Sequence, residues 1–144
     1  MEVRIELAHA DDLAAIVSLL ERSQLPRAEI ERHLGAALVA RDDARVVGCA
    51  AVELYGSVGL LRSVAVDPVR RGAGLGARLT DAALALARRR GVRYAYLLTE
   101  SAAQFFPRFG FRTIARGDVA PAVQQSVEFT RACPESALAM VKEL

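Results

Sequence analysis

Apolar residues recur along this chain with two different periods, and the places where the period changes divide it into elements. Residues 3–8, VRIELA, alternate apolar and polar positions and predict a first strand. Asp11 or Asp12 can cap a helix running to about Arg22, with Leu13, Ile16, Val17 and Leu20 on one face. SQLP interrupts that pattern, and Pro26 suits the first turn of a second helix over residues 27–37, with Ile30 and Leu34 inward. LVAR reads as a short strand and DDA as a turn. RVVGCAAVELY is a long strand, GSVG a tight turn and LLRSVAV another strand, so residues 45–66 predict a β-hairpin. Residues 74–90 form a strong helix with Leu75, Leu79, Ala82, Ala83 and Leu86 on its buried side, stopped by Gly91. VRYAYLL is the next strand. Ser101 then caps a short helix, AAQFFPRF, that ends at Gly110. FRTIAR is a strand, Pro121 opens a helix to about Arg131, and SALAMVK closes the chain as a strand.

The order is therefore β-α-α-β-β-β-α-β-α-β-α-β, with no repeat, linker or low-complexity segment. It predicts an α/β fold with a mixed, mostly antiparallel sheet flanked by helices. A crossover from Val66 through the long helix to Val92 makes two strands parallel. At 144 residues and 53% apolar composition, one ordered domain over residues 1–144 is expected. No apolar run approaches the ~20 residues that span a bilayer, and MEVRIELAHADD lacks the apolar core of a signal peptide, so no membrane association is expected. Cys49 and Cys133 show no metal-binding spacing; two free thiols in a reducing cytoplasm and no metal are the expectation. A net charge of +2 gives no argument for nucleic acid, and 18 of the 19 basic residues are arginine, which makes any single arginine less informative. The RRR run at Arg88, Arg89 and Arg90 reads as a solvated helix end that complements the dipole. His9 and His33 read as surface residues.

The chemistry concentrates in VDPVRRGAGLG, residues 66–76, where three glycines follow two arginines and precede the long helix. A P-loop is excluded because no Lys-Ser or Lys-Thr follows the glycines. A dinucleotide-binding turn fits poorly: the spacing is GxGxG, DPVRR separates the strand from the first glycine, and Glu100 comes too late. Arg71-x-x-Gly74-x-Gly76 after a strand fits a nest of backbone N–H groups at a helix N-terminus, which binds anions. A glycine turn with no ligand is the alternative. The pattern resembles motif A of the GNAT superfamily of acyl-CoA N-acyltransferases, (Arg/Gln)-x-x-Gly-x-(Gly/Ala). The likeness covers almost the whole chain, since the hairpin with Gly48 near its start, VDP before the loop and AAQFFPRFGF after the next strand all fall where that family has them.

The resemblance implies a GNAT-like fold and acetyl-CoA as co-substrate. Its pyrophosphate would be held by Arg70, Arg71, Gly72, Ala73, Gly74, Leu75, Gly76 and Ala77. Its pantetheine would lie along Val64, Ala65 and Val66, with the N–H of Val64 as oxyanion donor. The family often has a glutamate base where this chain has Leu60, and a tyrosine acid where it has Phe106. The closing third, YLLTESAAQFFPRFGFRTIAR and EFTRACPESALAMVKEL, resembles the arsenic-resistance N-acetyltransferase subgroup, whose relatives acetylate glutamate or glutamate-like amino acids, including phosphinothricin- and arsinothricin-type antibiotics.

With the usual base absent, a substitute follows from hairpin geometry. If residues 56–59 form the turn, Tyr55 faces Leu60 and Glu53 faces Arg62. Alternation then puts Tyr55, Glu53, Leu60, Arg62 and Val64 on one face, toward the thioester. Glu53 would deprotonate the amine through a water, with Tyr55 as a fallback, and Arg62 would bind an acceptor carboxylate. The same pair reads equally well as a cross-strand ion pair without chemistry. Ser23 and Leu25, in the SQLPR connection, are expected at the acceptor rim, with Thr99, Glu100 and Ser101 as further candidates. The expected function is transfer of acetyl to the amino group of a small acidic amino acid or analogue. The alternatives are a protein or peptide N-acetyltransferase and a non-catalytic acyl-CoA-binding sensor. A homodimer is admitted as an assembly.

Overall fold

The structure, a computed structural model, describes residues 3–132 and 136–144. Cys133, the second predicted thiol, lies outside the described residues. Seven strands form one sheet: β1 (Arg4–Leu7), β2 (Ala37–Asp42), β3 (Arg45–Tyr55), β4 (Val58–Val66), β5 (Tyr94–Thr99), β6 (Arg112–Ile114) and β7 (Leu138–Glu143). Their order across the sheet is β1-β2-β3-β4-β5-β7-β6. Every neighbouring pair is antiparallel except β4 and β5, which the crossover helix α2 (Leu75–Arg89) makes parallel.

Alternation along the strands sends side chains to two cores. Ala50 and Val52 of β3 join Leu61, Leu97 and Met140 under Leu79, Ala83 and Leu86 of α2. Cys49 and Ala51 point the other way, against Ile16, Leu19 and Leu20 of α1 (Leu13–Arg22) and against Ile30. Each such aliphatic side chain taken fully from water contributes roughly 1.5–3 kcal/mol. Gly48 allows α2 to approach β3, since a Cβ there would sit 2.8 Å from Leu79 Cδ1 and 3.3 Å from the Ala65 carbonyl.

The hairpin forms as the pattern predicts, but its register differs. The turn is Gly56-Ser57, with Gly56 at φ +69, and the partners are Tyr55↔Val58, Glu53↔Leu60 and Ala51↔Arg62. Gly59 is therefore a strand residue, and a Cβ on it would press on Val52, Val92 and the Glu53 carbonyl at 3.1–3.3 Å. A slip of two positions preserves the faces, because the side-chain period is two. Glu53, Tyr55, Leu60 and Arg62 still share one side. Val64 does not join them. The register shifts opposite Cys49–Ala51, and Ser63 takes φ +62, so a bulge reverses the alternation and turns Val64 toward α2.

The helices outside α1 and α2 are shorter than the pattern suggests, each for a local reason. The second helix is a 3₁₀ segment, Ile30–Ala36, because the carbonyls of Pro26 and Ala28 are taken by Arg62 and Glu29 sits at φ +60. The helix over AAQFFPRF is only the 3₁₀ turn Phe106–Phe109; Pro107 has no N–H to continue a ladder. Ser101 does not cap it. Thr99 Oγ1 accepts the Ala102 N–H at 2.9 Å instead. The helix from Pro121 ends early, as α3 (Pro121–Gln124). Ser126 interrupts it: its Oγ accepts the Phe129 N–H at 3.3 Å and starts a separate π-helical turn, Glu128–Ala132.

Candidate active site

The parallel pair β4/β5 is joined only at Val58↔Tyr94, Gly59↔Ala95 and Leu60↔Tyr96. Beyond that point β4 stays with β3 to Val66, and β5 stays with β7 to Thr99. The two strands part where the Ser63 bulge bends β4, and strain of this kind is typical of functional sites. The gap opens a cavity of about 1060 Å³. Its walls include Val64, Ala65 and Val66 on one side and Leu97, Leu98 and Thr99 on the other.

At one end of this cavity lies the glycine loop. Gly72 and Gly74 have φ +88 and +80, and Gly74 is the N-cap of α2. A Cβ on either would meet no protein atom within 4 Å, so the space in front of both is open. The first intrahelical bond runs from the Arg78 N–H to the Gly74 carbonyl at 3.1 Å. The N–H groups of Leu75, Gly76 and Ala77 thus lack acceptors in the helix, and all three residues line the cavity. They carry the positive end of a 15-residue helix dipole. Of the predicted loop residues Ala73 is exposed and does not line the wall. Arg70 is paired with Asp42. Arg71 donates from Nε to the Val66 carbonyl at 3.2 Å and from Nη2 to Ser23 Oγ at 3.4 Å. It thereby ties the glycine loop to the 23–26 connection, whose Ser23, Leu25 and Pro26 form another part of the wall.

At the inner end is a buried polar cluster. Arg62, with a side chain 0% exposed, donates from Nη1 to Glu53 Oε2 at 2.8 Å and to the Ala28 carbonyl at 2.9 Å. Its Nη2 donates to the Pro26 carbonyl at 3.2 Å and its Nε to Ser63 Oγ at 3.0 Å. Its Nε also lies 3.3 Å from Glu128 Oε2. Glu53, 1% exposed, accepts the Tyr55 hydroxyl on Oε1 and lies 3.5 Å from His33 Nε2. Burial, with the Glu53 bond second, pushes the Tyr55 hydroxyl well above its ordinary range. Burial also lowers His33, so its imidazole is held neutral, although nearby Glu53 pulls the other way. His33 is thus part of this cluster and not a surface residue, because the 3₁₀ segment carries it over β3.

The structure brings Arg62, Ser23, Leu25, Thr99, Val64 and the glycine loop to one cavity, with Glu100 and Ser101 at its exposed edge. It leaves Glu53 and Tyr55 behind Arg62, off the cavity wall; Tyr55 packs with Leu60, Val119 and Val123. The buried charged wall residue that sequence reasoning missed is Glu128. Its only signal in the chain was an acid between the apolar Val127 and Phe129, hidden by reading one continuous helix there. Among the described residues no group of three or more His, Cys, Asp and Glu side chains could hold a metal ion.

Residues 33–113, more than half of the chain, match the family described as Acetyltransferase (GNAT) domain. The chain belongs to the GNAT acetyltransferase family. It is 39% identical over 71 residues to the amino-acid acetyltransferase of Mycobacterium tuberculosis, a match spanning 49% of this chain and 40% of that protein. It is 26% identical over 126 residues to the amino-acid acetyltransferase of Neisseria meningitidis, spanning 81% of this chain and 29% of that one. It thus matches less than half the length of either curated relative. Its fold is shared with N-acetylglutamate synthase from Neisseria gonorrhoeae complexed with coenzyme A and N-acetyl-glutamate, at TM-score 0.85 and 23% identity over 100% of this chain and 35% of the other. It is also similar to Rv2747 from Mycobacterium tuberculosis in complex with CoA and NLQ, at TM-score 0.83 and 25% identity over 98% and 99% of the two chains.

Proposed function

We propose that this chain is an acetyl-CoA-dependent N-acetyltransferase whose acceptor is the amino group of a small amino acid. The observation that carries the reading is one continuous cavity, running from the anion nest at α2 to the unpaired edge of β4. Both ends suit acetyl-CoA: open space before Gly72 and Gly74 for a pyrophosphate, and free strand edge for an amide-containing arm. When bound, acetyl-CoA supplies a thioester carbonyl for attack by an amine. The chain holds the phosphates with the N–H groups of residues 74–77 and with Arg71, and offers the Val64 N–H to the carbonyl oxygen. The loop at Ser23 and Leu25, together with Thr99, bounds the acceptor.

Relatives named as amino-acid acetyltransferases, and solved neighbours holding coenzyme A with an acetylated amino acid, support the acceptor class. An acidic amino acid or analogue is the finer reading, supported by the likeness of the closing third to the arsenic-resistance subgroup. The burial and full engagement of Glu53 favour a positioning role for it over that of proton acceptor. The same applies to Arg62, four of whose N–H bonds go to protein partners.

Thiol release from acetyl-CoA is the test, with a panel containing the common L-amino acids, phosphinothricin- and arsinothricin-type analogues and short peptides with free N-termini. Turnover with an amino acid and not with peptides is expected. Preference for peptides would move the acceptor to protein N-termini. Tight acetyl-CoA binding without any turnover would favour a sensor, a reading that Leu60 and Phe106 at the family's base and acid positions keep in play.

A further inference from the structure

Three carboxylates lie in or near the acceptor end of the cavity, and their surroundings differ. Glu100 is exposed at the outer edge. Glu53 stands behind Arg62 and off the wall. Glu128 alone of the three is both on the wall and buried, with a side chain 5% exposed. It reaches there because Ser126 breaks the helix after α3 and starts the turn that carries Glu128 inward. The Arg62 Nε, 3.3 Å away, fixes the carboxylate beside β4, two positions before Val64. The cavity wall carries apolar residues, Leu25, Pro26, Leu61, Leu97 and Leu98, beside the polar Arg62, Ser63 and Thr99. A carboxylate in such a wall is costly unless it meets cations, and it binds an entering one far more strongly than an exposed carboxylate does.

We propose that Glu128 is a catalytic residue that binds the acceptor's ammonium group and takes a proton from it. This rests on the N-acetyltransferase reading above. An N–H bond of the ammonium breaks, its electron pair stays on nitrogen and the proton passes to a Glu128 carboxylate oxygen. The freed amine forms the C–N bond to the acetyl carbonyl carbon as the C–S bond breaks with its pair on sulfur. The second proton lost by nitrogen goes to the thiolate, and Glu128 returns the first to water. Arg62 holds Glu128 in place as a positioning residue.

The test measures binding and turnover separately. L-glutamate, L-glutamine and L-alanine are titrated against the protein alone and with coenzyme A, alongside glutarate, glutaramate and propionate, which lack only the amine. Wild type should prefer at least one amino acid to its deaminated partner by tenfold or more, the scale of a charged hydrogen bond. Glu128→Gln should reduce that preference to about threefold or less and lower turnover ~100-fold or more, with acetyl-CoA affinity within twofold of wild type. Glu128→Asp keeps the charge and should keep the preference while losing at least ~10-fold in turnover; it decides the matter if the glutamine variant does not fold. A wild type without preference, a Gln variant that keeps it, or an Asp variant with normal turnover overturns the assignment. Failure of wild type to bind acetyl-CoA instead refutes the underlying function, and the amine preference of the protein alone still reports on Glu128.

Discussion

Replacing Arg62 with alanine separates two views of the inner cluster. Arg62 joins the hairpin, through Glu53 and Ser63, to the 23–28 connection, through the carbonyls of Pro26 and Ala28. Removing one member of a buried ion pair costs about 3–5 kcal/mol, because the other charge is left uncompensated. Two buried carboxylates, Glu53 and Glu128, would lose Arg62; Glu53 would keep Tyr55 and His33, and the two carbonyls belong to half-buried residues, so the lower end is the minimum expected. A loss of about 3 kcal/mol corresponds, in a chain of this size, to a fall of roughly 6–12 °C in melting temperature. Circular dichroism against temperature and urea titration both read it. Arg62→Met combined with Glu53→Gln should recover at least ~1 kcal/mol relative to Arg62→Met alone, since the pair is then removed as a unit. An Arg62→Ala protein melting within ~2 °C of wild type, with affinity for the amine-free glutarate lowered more than ~10-fold and the acetyl-CoA KM unchanged, would refute this reasoning. It would return Arg62 to the role of substrate carboxylate binder.

Gly74→Glu should abolish acetyl-CoA binding in calorimetry while the fold survives, since a Cβ there meets no protein atom within 4 Å and the φ of +80 adds only about 1–2 kcal/mol of strain. Stability should decline on acidification from pH 6.5 toward the lowered His33 value, because the unfolded chain there binds a proton that the folded, buried imidazole refuses; His33→Gln should flatten that slope in urea titrations across pH 5–7. Burial pushes the Cys49 thiol up to about 12, so iodoacetamide should leave the Cys49 peptide unmodified at pH 8 until the protein is unfolded, as read by mass spectrometry.

Periodicity was enough to find all seven strands, both long helices and the single parallel crossover, because each is written in a run of apolar positions that repeats every two or 3.6 residues. The glycine loop was legible for a different reason: left-handed backbone at Gly72 and Gly74 and a helix start immediately after leave few other residue choices. What the chain alone did not reveal depends on contacts between distant segments. A slip of two residues in the hairpin leaves its polar pattern unchanged, so Glu53 and Arg62 share a face in either register, and packing around Gly59 selected one of them. The bulge at Ser63 adds one residue and has no composition signal, yet it turns Val64 away from Arg62 and parts β4 from β5. Arg62 withdrew two carbonyls from a helix that local sequence favours, and Ser126 broke another, moving Glu128 from a helix surface to the cavity wall. Local pattern settles which residues turn inward; which inward polar residue meets the cavity is decided by individual hydrogen bonds, from Arg62 to carbonyls 34 and 36 positions away and from Phe129 to Ser126 nearby, which outweigh a few tenths of a kcal/mol of propensity.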